Sequence, residues 1–112
     1  MPARRNPLGL NALQLKTLAL LQELARLPDV ARETDEGIEV TAFPRPHGDH
    51  FHLGPYVVMA RDATGFSNPA PWAALERKGL VRSMFPDGAL LLPAGRDYDT
   101  GVRDEILHAS GH

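Results

Sequence analysis

Ala74-Leu75-Glu76-Arg77-Lys78-Gly79-Leu80-Val81-Arg82 is the stretch on which the reading of this fold turns. Leu75 is placed to aim a helix into the core. Arg77 and Lys78 put positive charge at the helix C-terminus, where the peptide dipoles leave a partial negative charge. Gly79 supplies the positive-φ exit that a side chain with a Cβ resists. Leu80 then returns to the core as a strand begins. Going forward, residues 80–85 and 89–92 read as two strands, with Pro86-Asp87-Gly88 as a tight turn between them. Going backward, Asn68 is placed as a helix cap and Pro69 at the first helical position. Trp72, Leu75 and Ala73 supply the apolar face of that helix.

The flanking segments are read the same way. A first helix is expected over residues 11–27. Asn11 and Gln14 form a capping-box pair, Leu10 and Leu15 a hydrophobic staple, and Pro28 a stop. Leu13, Leu20, Leu24 and Leu27 recur at helical spacing, and Leu18, Leu21 and Ala25 widen the stripe enough to imply burial on more than one side. Residues 28–53 read as an inserted loop and hairpin. Within it, residues 29–36 are polar loop, and Ile38, Val40 and Ala42 alternate with Glu39, Thr41 and Phe43. Pro44 to Asp49 then turn, and Phe51 and Leu53 return as a short strand. A second helix is expected from Pro55 to Asp62, stopping at Gly65. A last helix is expected over residues 93–108, with Tyr98, Val102 and Ile106 four apart. Gly101 weakens that helix by about 1 kcal/mol relative to alanine. Residues 1–9 read as a flexible tail.

The chain has 112 residues, which suits one domain, residues 1–112, with one modest core. A hydrophobic fraction of 43% and a charged fraction of 23% are ordinary for a folded protein. With no cysteine, disulfide staples, thiolate metal sites and a cysteine nucleophile are excluded. That composition suits a reducing, cytoplasmic setting. No apolar run approaches the roughly 20 residues that span a bilayer, so no membrane partner is expected. The basic start at Arg4 and Arg5 leads into a stretch broken by Asn11, Gln14 and Lys16, so no signal peptide is expected. Net charge is -2 and the pI is near 6.2, where phosphate-binding domains are more often strongly basic.

Three stretches in order resemble the MarR/PadR-like winged-helix regulators. Residues 10–21, Leu-Asn-Ala-Leu-Gln-Leu-Lys-Thr-Leu-Ala-Leu-Leu, resemble the family's first core helix. Residues 74–82 resemble the end of its recognition helix entering the wing. Residues 90–96, Leu-Leu-Leu-Pro-Ala-Gly-Arg, resemble the exit from the wing. The resemblance implies an α+β fold: a winged helix-turn-helix with a β-hairpin inserted between the first and second helices, and a short C-terminal helix. It also implies a DNA-binding transcriptional regulator, a homodimer aligning two third helices about 34 Å apart. Asn68 would then stand at the base-reading end, and Arg61, Arg77, Lys78 and Arg82, with the Arg4-Arg5 tail, at phosphates.

The departures are specific. Asn68-Pro69-Ala70-Pro71-Trp72 carries no Arg or Lys, Asp87 occupies the wing tip, and Leu92 stands where the family commonly has a capping threonine. The interval from Gly65 to Gly79 is about one helical turn short. Each basic residue also has a plain reading as a solvated or helix-end charge. A protein-interaction module that binds no DNA is therefore the alternative.

A metal-responsive variant is a further alternative, because His47, Asp49, His50 and His52 crowd one stretch. Histidines at i and i+2 on a strand share a face, and a turn histidine can close over them, which suits zinc or nickel. The plain reading is a solvated hairpin face with Phe51 and Leu53 inward. Asp104, His108 and His112 repeat every four residues and resemble the C-terminal helix sites of ArsR-type zinc sensors. Ser67, Ser83 and Ser110 lack a nucleophile-elbow motif, and no glycine-rich phosphate loop occurs. Asp97 and Asp99 are explained by a helix start. No enzyme activity is expected, and no cofactor beyond zinc at the histidines.

Overall fold

The computed structural model describes residues 6–43 and 48–109. Helix α1 (Ala12–Leu24) starts as its capping residues dictate. The Asn11 side chain accepts from the Gln14 amide at 2.8 Å, and the Gln14 side chain accepts from the Asn11 amide at 3.0 Å. The helix ends at Leu24 rather than Leu27, and turn bonds from Arg26 to Glu23 and from Leu27 to Leu24 close it. Its leucines are buried on two sides. Ala19, Leu20 and Leu24 belong to one apolar cluster, and Leu18 and Leu21 to a second. The wide stripe therefore makes α1 the partition between two cores.

The second core holds α2 (Pro69–Arg77), β5 (Val81–Met84) and β6 (Gly88–Leu91). Asn68 caps α2 by accepting from the Ala70 amide at 3.0 Å. The other end is a Schellman motif. The Gly79 amide donates to Glu76, the Leu80 amide donates back to Leu75, and Gly79 has φ +77. Leu75 and Leu80 are 0% and 1% exposed, as the sequence leads one to expect. The apolar face is shifted at one position, since Ala74 is buried and Ala73 is exposed. Trp72 is 1% exposed, and its indole N–H donates to the Gly65 carbonyl at 2.8 Å.

The long segment between α1 and α2 departs most from expectation. Part of the expected polar loop is β1 (Ala31–Glu33), which pairs with β2 (Ile38–Val40) around a turn closed by Thr34. The expected hairpin between the Ile38 strand and the Phe51 strand does not form. Instead β2 pairs with β6, so the first sheet runs β1-β2-β6-β5. Alternation marked Ile38 and Val40 as a strand, but alternation does not name a strand's partner.

The Phe51 strand is β3 (His50–Leu53), and it pairs with β4 (Tyr56–Met59) in the position expected for the second helix. Pro55 reads equally as a first helical residue or as part of a two-residue hairpin loop. Gly54, with φ +56, selects the loop. Tyr56, Val57 and Val58 also favour a pleated, half-buried surface. Two 3-10 segments, Ala60–Asp62 and Thr64–Ser67, then lead into α2. Gly65 is not a helix stop. A Cβ there would lie 1.9 Å from the Thr17 hydroxyl, so glycine is required for the approach to α1.

The expected C-terminal helix is broken into α3 (Pro93–Asp97) and α4 (Arg103–Ile106), with Gly101 at φ +72 between them. Strand β7 (His108–Ala109) then joins β4, giving a second sheet in the order β3-β4-β7. Asp97 therefore ends a helix and pairs with Arg96 at 3.1 Å, and Asp99 lies beyond it. Tyr98, Val102 and Ile106 do not form one stripe. The Tyr98 hydroxyl donates to Asn6 and accepts from the Leu8 amide, while Ile106 is buried in the first core. These side chains and the α1 leucines are thus used within the chain. Among the described residues the fold is α+β, with four α-helices and two antiparallel sheets.

One buried charge ties α1 to the C-terminal segment. The Glu23 side chain is 6% exposed and pairs at 3.0 Å with Arg103, whose side chain is 43% exposed. Arg103 also donates to the Tyr56 hydroxyl at 3.2 Å. The hydrogen bond to Tyr56 first, and that to Glu23 second, hold the guanidinium above the ordinary arginine range. Arg103→Met leaves a buried carboxylate without its cation. It is expected to cost about 2–3 kcal/mol in urea unfolding, reduced from the full buried-pair value because Arg103 reaches solvent. Adding Glu23→Leu should recover most of the loss. A double variant as unstable as the single one would show that the pair is not the cause.

Candidate functional site

Two surfaces carry the side chains singled out by sequence. The first is α2 with the β5–β6 hairpin. The Asn68 side-chain oxygen is committed to the Ala70 amide at the start of α2. The solvent face of α2 consists of Pro69, Ala70, Ala73 and Glu76, followed by exposed Arg77 and Lys78 at its C-terminal end. Arg77 and Lys78 are thus together, at the opposite end of α2 from Asn68. Arg61 is exposed in the first 3-10 segment.

Arg82 lies elsewhere, on the outer face of the first sheet. The pairing register there aligns Arg32, Glu39, Leu90 and Arg82 across the four strands. Arg82 pairs with Glu36 at 2.9 Å, and Arg32 pairs with Glu39. The sheet face is therefore internally neutralised. The hairpin tip presents Met84, 42% exposed, and exposed Asp87. Alternating charges of this kind cancel the field that would steer a polyanion.

The second surface is the outer face of β3-β4-β7. Phe51 and Leu53 are buried, while His50 is half-buried and His52 exposed, so the strand alternates as the sequence predicts. The His50 and His52 rings lie with centroids 4.9 Å apart and planes at 79°. Asp49 stands 3.4 Å from Nδ1 of His50. His47, the third histidine of the expected site, lies outside the described residues, as does His112. His108 does not share a helix with Asp104. It sits in β7, opposite Val57, which in turn stands opposite His52. Sequence reasoning missed this placement because it took residues 55–62 and 93–108 for helices. The β-branched pair Val57-Val58 was the signal that could have corrected the first of these.

Comparison with family models, with curated proteins and with solved structures finds no match to this chain. What the surfaces can do is therefore argued from their own chemistry. Among the described residues, no helix is long and apolar enough to cross a membrane. Also among them, no group of three or more histidine, aspartate or glutamate side chains stands at metal-ligand spacing.

Proposed function

We propose that the chain is a winged-helix-type recognition domain whose α2 face meets a protein partner rather than a DNA groove. The succession α1, α2, β5–β6 hairpin supports this reading, while β4 stands where the resemblance implies a second helix and β2 extends the hairpin to a third strand. The observation that carries the choice of partner is the face of α2. The commonest specific contact to a base edge in the major groove is made by Arg or Lys, with Asn and Gln pairing adenine. Here the accessible face offers Pro69, Ala70, Ala73 and Glu76, and the oxygen of Asn68 is already committed. Low charge is typical of protein interface cores.

Arg4 and Arg5 lie outside the described residues, and the phosphate candidates left among the described ones predict a weak and unselective interaction. Arg61, Arg77 and Lys78 acting together give a log–log salt slope of about -3, far below that of a dedicated duplex binder. A binding screen against a genomic fragment library at low salt tests this directly. The expected result is retention that does not discriminate between fragments and disappears as salt is raised. A photo-crosslinker at Ala73 should give one saturable adduct in the protein's own cells, competed by unlabelled protein, while one at Thr34 should not. Fragment-selective binding that is lost in Arg77→Glu would return the assignment to DNA reading.

A further inference from the structure

We propose that His50 and His52 form a site for a borderline divalent cation of the zinc, nickel and copper(II) class, on the outer face of β3. The strand geometry comes first. Residues i and i+2 project from the same side of a strand. Phe51 and Leu53 hold the opposite side in the core, so the two imidazoles are anchored by a buried strand rather than carried on a loose tail. Their rings already lie close, with centroids 4.9 Å apart, and His52 is exposed while His50 is half-buried.

The donor chemistry selects the ion. Imidazole nitrogen suits zinc, copper and nickel, whereas magnesium and calcium prefer oxygen. The neighbouring carboxylate adds a second feature. Asp49 Oδ1 stands 3.4 Å from Nδ1 of His50. A carboxylate on one ring nitrogen is the outer arrangement that orients a ligating histidine and makes its other nitrogen, here Nε2, a better donor. The two imidazoles supply two of the ion's donors. His108 shares this sheet face but lies two strands away, at about 10 Å by interstrand spacing. It therefore serves as an internal control.

The test uses the full chain without an added histidine tag, titrated calorimetrically with zinc, nickel and copper(II) salts near neutral pH. The expected result is one ion per chain. Affinity should fall roughly tenfold to a hundredfold in His50→Ala and in His52→Ala, and roughly tenfold in Asp49→Asn. His108→Ala should bind like the parent protein. His52 is exposed, so its variant should keep the parent's circular dichroism and thermal midpoint. No stoichiometric heat with any of the three ions would overturn the proposal. So would binding unchanged in both His50→Ala and His52→Ala, or binding lost in His108→Ala instead.

Discussion

Trp72→Ala is expected to remove about 3–5 kcal/mol of folding stability, the range for emptying a buried aromatic site. Natural domains hold about 5–15 kcal/mol in total, so this variant should stand near the edge of folding. Trp72 is buried in the second core, with its ring edge-on to Phe43 and Phe85 at 5.4 Å each. Its indole N–H also satisfies the carbonyl of Gly65, the residue that lets the 3-10 segment press against α1. One side chain thus joins α2, the segment before it and the β5–β6 turn. Urea unfolding followed by far-UV circular dichroism is the suitable measurement, because the only tryptophan is the one removed. Trp72→Phe keeps the ring and drops the N–H, and should cost about 1–2 kcal/mol. A loss below about 1 kcal/mol in Trp72→Ala would mean that the ring does not hold these elements together.

Leu75→Ala should cost about 2–5 kcal/mol, with a matching shift of the urea midpoint and little change in slope. Leu75 is fully buried and is the residue to which the Leu80 amide returns at the Schellman stop. Truncating it leaves a cavity beneath the junction of α2 and β5. Glu76 is the neighbouring control, since it is exposed and Glu76→Ala should change stability by no more than about 0.5 kcal/mol. Equal effects at the two positions would mean that the rotation of α2 about its axis is not as described.

The candidate surfaces were legible to different degrees. The outward direction of His50 and His52 followed from alternation with Phe51 and Leu53, because a strand has a strict two-residue period. The neutralisation of Arg82 did not. Glu36, its partner, is 46 residues away, and the pair meets only because β2 is laid against β6. Lys16 meets Asp62 in the same way, across 46 residues, from α1 to the first 3-10 segment. A sequence reading counts such charges as available, and only long-range pairing shows which are already committed.

The sequence by itself determined the elements whose signals are local. These are the Asn11–Gln14 capping box, the Asn68-Pro69 start and Gly79 stop of α2, and the β5–β6 hairpin, whose turn is Phe85-Pro86-Asp87 with Gly88 already in β6, one residue earlier than expected. Each depends on hydrogen bonds or dihedral angles within a few residues, so a short stretch of chain contains the whole cause. The tertiary structure alone decided what each strand pairs with and whether an ambiguous segment becomes helix or strand. Residues 55–62 carry a helix-compatible proline beside strand-favouring Tyr56, Val57 and Val58, and the partners offered by β3 on one side and β7 on the other decide for the strand. Residues 93–108 likewise carry a helical spacing, but Tyr98 is drawn to Asn6 and Ile106 to the first core, and the chain turns between them at Gly101. Those outcomes depend on groups distant in sequence, whose approach costs chain entropy that only the assembled core repays.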